Sequence, residues 1–369
     1  MKTVIVRSCL ETLTPRVFRN AQALTSGGCN VTVLAWDREA KNPKLEYKEG
    51  YQAYRFKFKA PYGAKVLLFL PIWWCFEFFW LLRNRWDVVH PMDFDTVIPA
   101  AIAAKIKRKS MIYELADIYE DMRPLPRWLR SLGIFIDKLF MRLANGMIIA
   151  DEAQIRVLDG IPNENIIVIY NSPPNLFKKL GTFSQRDSTF TIFYAGALYK
   201  SRYLNLDKVY TAIRSIAEVK LIVAGHGDLI EEIKRWADEI PGKVQFIGRI
   251  GYAEALKKAI TADLLFALHE PITLNAKYGA GNKLFEAMMC GKPILVNKGT
   301  TRADIVEREN CGLVVDCHNI EEIKKAIIKL KEDRGLCKEL GTNGRKAYEQ
   351  RYNWKIMEQR LLTLYQEIK

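Results

Sequence analysis

At 369 residues, with 49% hydrophobic and 27% charged residues, the chain is long enough for two domains with separate cores and is ordinary for a globular protein. Its net charge of +14 suits a phosphorylated ligand or an anionic membrane surface; the excess is spread as +6 up to Ser172 and +8 beyond, without the basic tail that nucleic-acid binding would favour. Seven scattered cysteines, an odd total with no Cys-x-x-Cys pair, argue against a disulfide framework and a zinc site, and the N-terminus runs straight into a strand, so a cytoplasmic setting without a signal peptide is expected.

Thr3-Val4-Ile5-Val6 reads as a first strand buried on both faces, residues 16–26 as a helix ended by Gly27-Gly28, and residues 30–37 as a second strand. Strand, helix, strand in that order marks a Rossmann-like domain. No G-x-G-x-x-G follows the first strand; Leu10-Glu11-Thr12-Leu13-Thr14-Pro15-Arg16 stands there instead, so a dinucleotide site is not expected. Residues 51–59 alternate as a strand with one basic and one aromatic side. The run 66–82 follows, with Trp73, Trp74 and Trp80, interruptions at Pro71 and Glu77, and Lys65, Arg83 and Arg85 at its flanks. It is too short and too interrupted for a spanning helix; an interfacial helix and a helix buried on the sheet both fit.

Residues 87–90 form a buried strand that sets His90 at its carboxyl end, where open α/β sheets bind ligands. The next strand runs to Asp117, and Asp117 and Glu120 either cap the following helix or face a substrate. Residues 127–143 read as a basic helix with Trp and Phe on its apolar face, a second candidate membrane contact. Asn171-Ser172-Pro173-Pro174-Asn175 is a stiff polar break and the expected domain boundary.

The rhythm then restarts. A strand ends at Gly196 and is followed by Lys200 and Arg202; cations beyond a strand end can neutralise a departing diphosphate. Two more strand-to-glycine turns carry Gly225-His226-Gly227 and Gly248-Arg249-Ile250, and a further strand leads to His269. No partner spacing makes His269 a metal ligand. Tyr278-Gly279-Ala280-Gly281 then opens the run Asn282-Lys283-Leu284-Phe285-Glu286, a glycine-containing loop feeding a short helix that ends at Gly291. Amides at such a helix start form an anion site, and Glu286, one turn in, would reach what the anion is attached to, as a carboxylate gripping the ribose of a nucleotide does. Residues 321–330 and the end of the chain from Trp354 are amphipathic helices.

The run from Tyr278 to Leu295 resembles the signature of family 4 (group 1) retaining glycosyltransferases. The resemblance implies an α/β, GT-B fold with two Rossmann-like βαβ domains facing across a cleft. It would comprise an acceptor domain at 1–172, a nucleotide-sugar domain at 173–350, and a terminal helix at 351–369 that crosses back to the first. It implies a metal-independent, cofactor-free enzyme that moves a sugar from a UDP- or GDP-linked donor to an acceptor. In the donor site Glu286 would hold the ribose; the loop at Gly281, Asn282, Lys283 and Leu284 the diphosphate; Gly196, Gly225 and Gly227 would line it; Lys200 and Arg202 would neutralise the leaving group; and Arg249 and Ile250 would read the base. Catalytic candidates are Arg202, Asp117 and Glu286, with Arg16, His90, Asp117, His269 and Tyr278 near sugar or acceptor. Tyr278 stands where the family usually has a second glutamate, Ala116 where many relatives have a histidine, and Ala197 where a second arginine is common. With the basic charge and the stretches 66–82 and 127–143, the expected acceptor is a lipid-linked glycan or glycolipid at the inner membrane face. The alternatives are a catalytically weak, transferase-like binding protein and a GT-B nucleotide-sugar epimerase.

Overall fold

The computed structural model describes residues 1–10, 15–118, 127–158, 160–176, 189–202 and 204–368. They form two units. The first comprises Met1–Tyr170, Thr273–Asn275 and Met357–Lys369, and the second Asn171–Ile272 and Ala276–Ile356.

In the first unit the order is β1 (Lys2–Arg7), α1 (Pro15–Ser26), β2 (Asn30–Asp37), β3 (Leu45–Lys48), β4 (Tyr51–Lys57), α2 (Leu70–Arg83), β5 (Val88–Pro91), α3 (Phe94–Lys107), β6 (Ser110–Leu115), α4 (Arg127–Leu143), β7 (Gly146–Ile149), α5 (Ala153–Val157) and β8 (Ile166–Val168). The sheet order is β3-β4-β2-β1-β5-β6-β7-β8, and only the edge pair β3–β4 is antiparallel among the described strands. Apolar runs such as Val4-Ile5-Val6 are buried because helices cover both faces of a parallel sheet.

The aromatic side of β4 explains α2. Phe56 stacks on Phe76 with ring centroids 4.2 Å apart, Tyr54 meets Trp80 at 5.4 Å, and Trp73 lies parallel to Trp36 of β2 at 5.7 Å. The helix thus docks on the sheet through Leu70, Trp73, Glu77 and Leu81. Ile72 and Phe79 stay exposed on its outer side, as does Leu68 in the turn before it. By length and composition Lys65–Arg83 could also cross a bilayer, with 28% of it buried. The side of β4 read as basic is partly interior: Arg55 is buried and donates to Glu46 of β3 at 2.5 Å.

Helix α4 docks by a narrow side and leaves its main apolar stripe outside. Its apolar stripe Trp128, Leu132, Phe135, Leu139 and Leu143 is exposed, with Trp128 67% and Phe135 70% accessible. Asp137 and Met141 are its buried residues, and Asp137 accepts from the Tyr113 hydroxyl at 2.6 Å.

The second unit runs β9 (Phe190–Ala197), α6 (Leu206–Ile213), β10 (Val219–His226), α7 (Ile230–Glu239), β11 (Val244–Phe246), α8 (Tyr252–Thr261), β12 (Leu264–Ala267), α9 (Leu274–Tyr278, whose first two residues are counted with the first unit), α10 (Gly281–Cys290), β13 (Ile294–Asn297), α11 (Thr301–Glu309), β14 (Gly312–Val315), α12 (Ile320–Glu332) and α13 (Arg334–Ala347). Its sheet order, β11-β10-β9-β12-β13-β14, reverses direction between β9 and β12, the place where such sheets bind nucleotides. The last helix, α14 (Trp354–Glu367), buries Met357, Leu361, Leu364 and Tyr365, and from Met357 onward it belongs to the first unit.

Candidate functional site

The second unit collects most of the predicted site residues along the carboxyl edge of its sheet. Gly196 of β9 is in register with Gly225 of β10. A Cβ on Gly225 would meet the Gly196 carbonyl at 2.0 Å, and one on Gly227 the Leu198 carbonyl at 2.1 Å, with both glycines at φ +151. The two strand ends therefore touch backbone to backbone, which only glycine permits. The loop after β9 is tied into this edge: the Lys200 amide donates to Asp228 at 2.8 Å, and Leu204 bridges His269. Lys200 and Arg249 are exposed, Ile250 is half-buried, and the side chain of Arg202 lies outside the described residues. His269 accepts at its carbonyl from Asn297 Nδ2 at 3.4 Å.

Helix α10 begins at this edge. Gly281 has φ +68, a left-handed turn that swings the chain into the helix, and Ala280 at the N-cap has no side-chain oxygen to occupy the first amides. Leu284 is fully buried, so it can serve a ligand only through its backbone, while Asn282 and Tyr278 are half-buried. Glu286 is 7% exposed and pairs with Lys283 Nζ at 2.5 Å. Burial, with the Glu286 charge beside it, pushes the Cys290 thiol up to about 12, so this cysteine is a packing residue. An anion at the amides and a carboxylate one turn on is a geometry for a phosphate attached to a group rich in hydroxyls.

The first unit treats its predicted residues differently. Arg16 and His90, expected near sugar or acceptor, turn inward around Glu114. Fully buried Glu114 accepts from Arg16, from Asn20 at 2.7 Å and from His90 Nε2 at 2.8 Å; His90 Nδ1 meets the Tyr365 hydroxyl at 2.8 Å. Burial alone would raise the Glu114 carboxyl, but the Arg16 charge and the His90 hydrogen bond outweigh it and hold it at about 2. Both side chains are thus spent on the interior. Asp117 is half-buried at the end of β6, and its amide and that of Ala116 donate to Asp93 at 3.1 and 2.8 Å. Glu120 lies outside the described residues, as do residues 11–14.

Three groups escaped the sequence reading. Glu114 sits mid-strand in an apolar run, and its partners are 24 to 98 residues away. Arg302 was indistinguishable from other cations, yet it is buried and donates to the carbonyls of Ala276 and Gly279 before α10. Asp316, Cys317 and His318 place potential ligand atoms within 4.8 Å of one another, and burial pushes the Cys317 thiol up to about 11. The described cysteines are free thiols.

Comparison with known proteins agrees with this geometry. Residues 181–347 match the family described as glycosyl transferases group 1. Over 169 residues the chain is 28% identical to an uncharacterized glycosyltransferase of Methanocaldococcus jannaschii, covering 44% of this chain and 41% of that protein. Over 152 residues it is 26% identical to a GDP-mannose-dependent monoacylated alpha-(1-6)-phosphatidylinositol monomannoside mannosyltransferase of Corynebacterium glutamicum, covering 40% of this chain and 39% of the other. The matched stretch spans about two fifths of the length of these curated relatives. The solved structure of a sucrose-phosphate synthase from Thermosynechococcus elongatus is similar over 100% of this chain and 99% of its own, with a TM-score of 0.77 at 16% identity. The chain has the GT-B fold, and its residues 181–347 are similar to the glycosyl transferases of group 1.

Proposed function

We propose that the protein is a retaining, metal-independent glycosyltransferase that moves a sugar from a UDP- or GDP-linked donor to a lipid-linked acceptor at the inner face of a membrane. One observation carries the donor half: the left-handed Gly281 opens α10 at the carboxyl edge of a group 1 domain, with the Glu286 carboxylate buried one turn in. In this reading the first amides of α10 hold the diphosphate and Glu286 accepts hydrogen bonds from the ribose hydroxyls. The cations after β9, Lys200 and Arg202, neutralise charge that develops as the sugar–phosphate bond breaks. The departing diphosphate then takes the proton of the attacking hydroxyl on the same face of the sugar, which gives retention without a metal.

The test is equilibrium binding and thermal unfolding with UDP, GDP and ADP, followed by turnover of the sugar donors of whichever base binds. A nucleotide at 100 times its Kd adds about 2.7 kcal/mol of stability. A response to a single base names the donor; no response to any of the three removes the donor reading. Binding without any turnover of the donor points to a transferase-like binding protein instead.

The membrane half rests on α4, whose outward stripe from Trp128 to Leu143 has Lys138 and Arg142 along its edge by helical spacing. Exposed aromatic and aliphatic residues flanked by cations suit the interface of an anionic bilayer. The Corynebacterium relative is named for an acylated phosphatidylinositol mannoside, an acceptor of that setting. Binding to vesicles should rise with anionic lipid, fall with salt, and drop about a hundredfold or more in Trp128→Ser/Phe135→Ser, since each side chain loses about 2 kcal/mol of apolar transfer. Equal binding to neutral and anionic vesicles, unchanged in the double variant, would sink the membrane reading.

A further inference from the structure

The segment that leads into α10 is held by a side chain from another element. Arg302 lies at the start of α11, just beyond β13, and is 6% exposed. Its Nη1 donates to the Gly279 carbonyl at 2.8 Å and its Nη2 to the Ala276 carbonyl at 2.6 Å. One planar guanidinium therefore grips two carbonyls three residues apart, which a lysine, with a single nitrogen, cannot do in the same fixed geometry. The base of this fork is itself fixed. Thr300 caps α11 by accepting from the Ala303 amide at 3.3 Å and donates its hydroxyl to the Asn297 carbonyl at 2.8 Å. A Cβ built on Gly281 would lie 3.6 Å from Arg302 Nη1, so the fork reaches the residue whose backbone turns the chain into the helix.

Left to itself, a short segment containing Gly279 and Gly281 has wide conformational freedom, and the amides opening α10 would sample many directions. A ligand that needs several of those amides at once binds well only if their arrangement is set beforehand. We propose that Arg302 is a positioning residue of the nucleoside diphosphate subsite: by clamping Ala276 and Gly279 it fixes the backbone before α10, so that the amides after Gly281 converge on the diphosphate. The proposal rests on the donor reading above. It concerns the diphosphate alone, because Glu286 sits on α10 and is held by helix packing whether or not the preceding segment is clamped.

The experiment compares full-length wild type, Arg302→Lys and Arg302→Met, each titrated with UDP, GDP, uridine and guanosine. For the base that the wild type binds, nucleoside diphosphate affinity should fall about tenfold in both variants, the equivalent of one charge-assisted hydrogen bond, while nucleoside affinity changes by less than about twofold. Hydrogen exchange at amides 279–284 should speed up in the variants while the strands of the second unit keep their protection. Equal losses for nucleoside and diphosphate would overturn the proposal, because they would mean general damage to the unit. Full recovery in Arg302→Lys would also overturn it, because charge rather than the fork would be the cause. Absence of diphosphate binding by the wild type would instead defeat the donor reading, a result separable from the first two because it appears before any substitution.

Discussion

Glu286→Ala is expected to reduce nucleotide-sugar affinity and turnover by about a hundredfold or more while leaving the second unit folded. The size follows from the chemistry of the proposed contact. A carboxylate accepting from two ribose hydroxyls makes two charge-assisted hydrogen bonds worth roughly 1.5–3 kcal/mol each, which together correspond to a factor of about 10² to 10⁴. The fold is expected to survive because the packing face of α10 is supplied by Leu284, Phe285, Met288 and Met289, all fully or nearly fully buried. Glu286→Gln separates charge from shape: it keeps one acceptor oxygen, removes the partner of Lys283, and should fall between wild type and alanine. Titration with the nucleotide and with its 2′,3′-dideoxy analogue adds a control, since the analogue should bind both proteins alike. Wild-type affinity in Glu286→Ala would return this glutamate to the role of a helix residue paired with Lys283.

How far the chain could be read from its residues follows from which interactions are local. The second unit was legible because its parallel strands are short apolar runs, of which β9, β10 and β11 lead into glycines, and the glycines at 225 and 227 are demanded by carbonyls about 2 Å from any added Cβ. The α10 signature was legible for the same reason: one turn residue, one helix and one acid lie within a dozen positions. Helix α14 showed its buried face as a three- and four-residue spacing, although Tyr365, not Ile368, completes the buried set. Strand β3 and helix α3 carried no signal strong enough to separate them from their surroundings. β3 alternates exposed and half-buried residues at a sheet edge, and α3 contains Pro99. Helix α4 kept its amphipathic period, yet period alone does not say whether the apolar stripe meets the sheet or the solvent; Asp137 and Tyr113 decide that by a pairing 24 residues apart. The same limit hid the partner of Arg16 and His90. A strand end for His90 and the family resemblance for Arg16 suggested a ligand, and their partner is an acid that no spacing connects to them.

That partner supplies the largest expected effect on stability. Glu114→Gln should destabilise the first unit by about 3–5 kcal/mol, because it leaves the buried Arg16 guanidinium without its counter-charge. The dependence on pH has a definite sign. The folded carboxyl is held at about 2, below its ordinary value near 4.5, so the folded state gives up its proton more readily than the unfolded chain. Its contribution is therefore complete above pH 4.5 and disappears as the pH falls through that value towards 2, a loss of about 3 kcal/mol. Wild type and Glu114→Gln should differ most at neutral pH and converge in acid; the difference isolates Glu114 from the other carboxylates, which titrate in both proteins. Chemical unfolding followed by tryptophan fluorescence can report this, since Trp36, Trp73 and Trp86 are buried in the first unit. The substitution should also loosen α14, whose Tyr365 hydroxyl reaches the network through His90 at 2.8 Å, and amides of that helix should lose protection from hydrogen exchange before those of β1 and β2 do. A glutamine variant as stable as wild type at pH 7, with the same slope below pH 4.5, would mean that the carboxylate is not the centre that holds Arg16, Asn20 and His90 together.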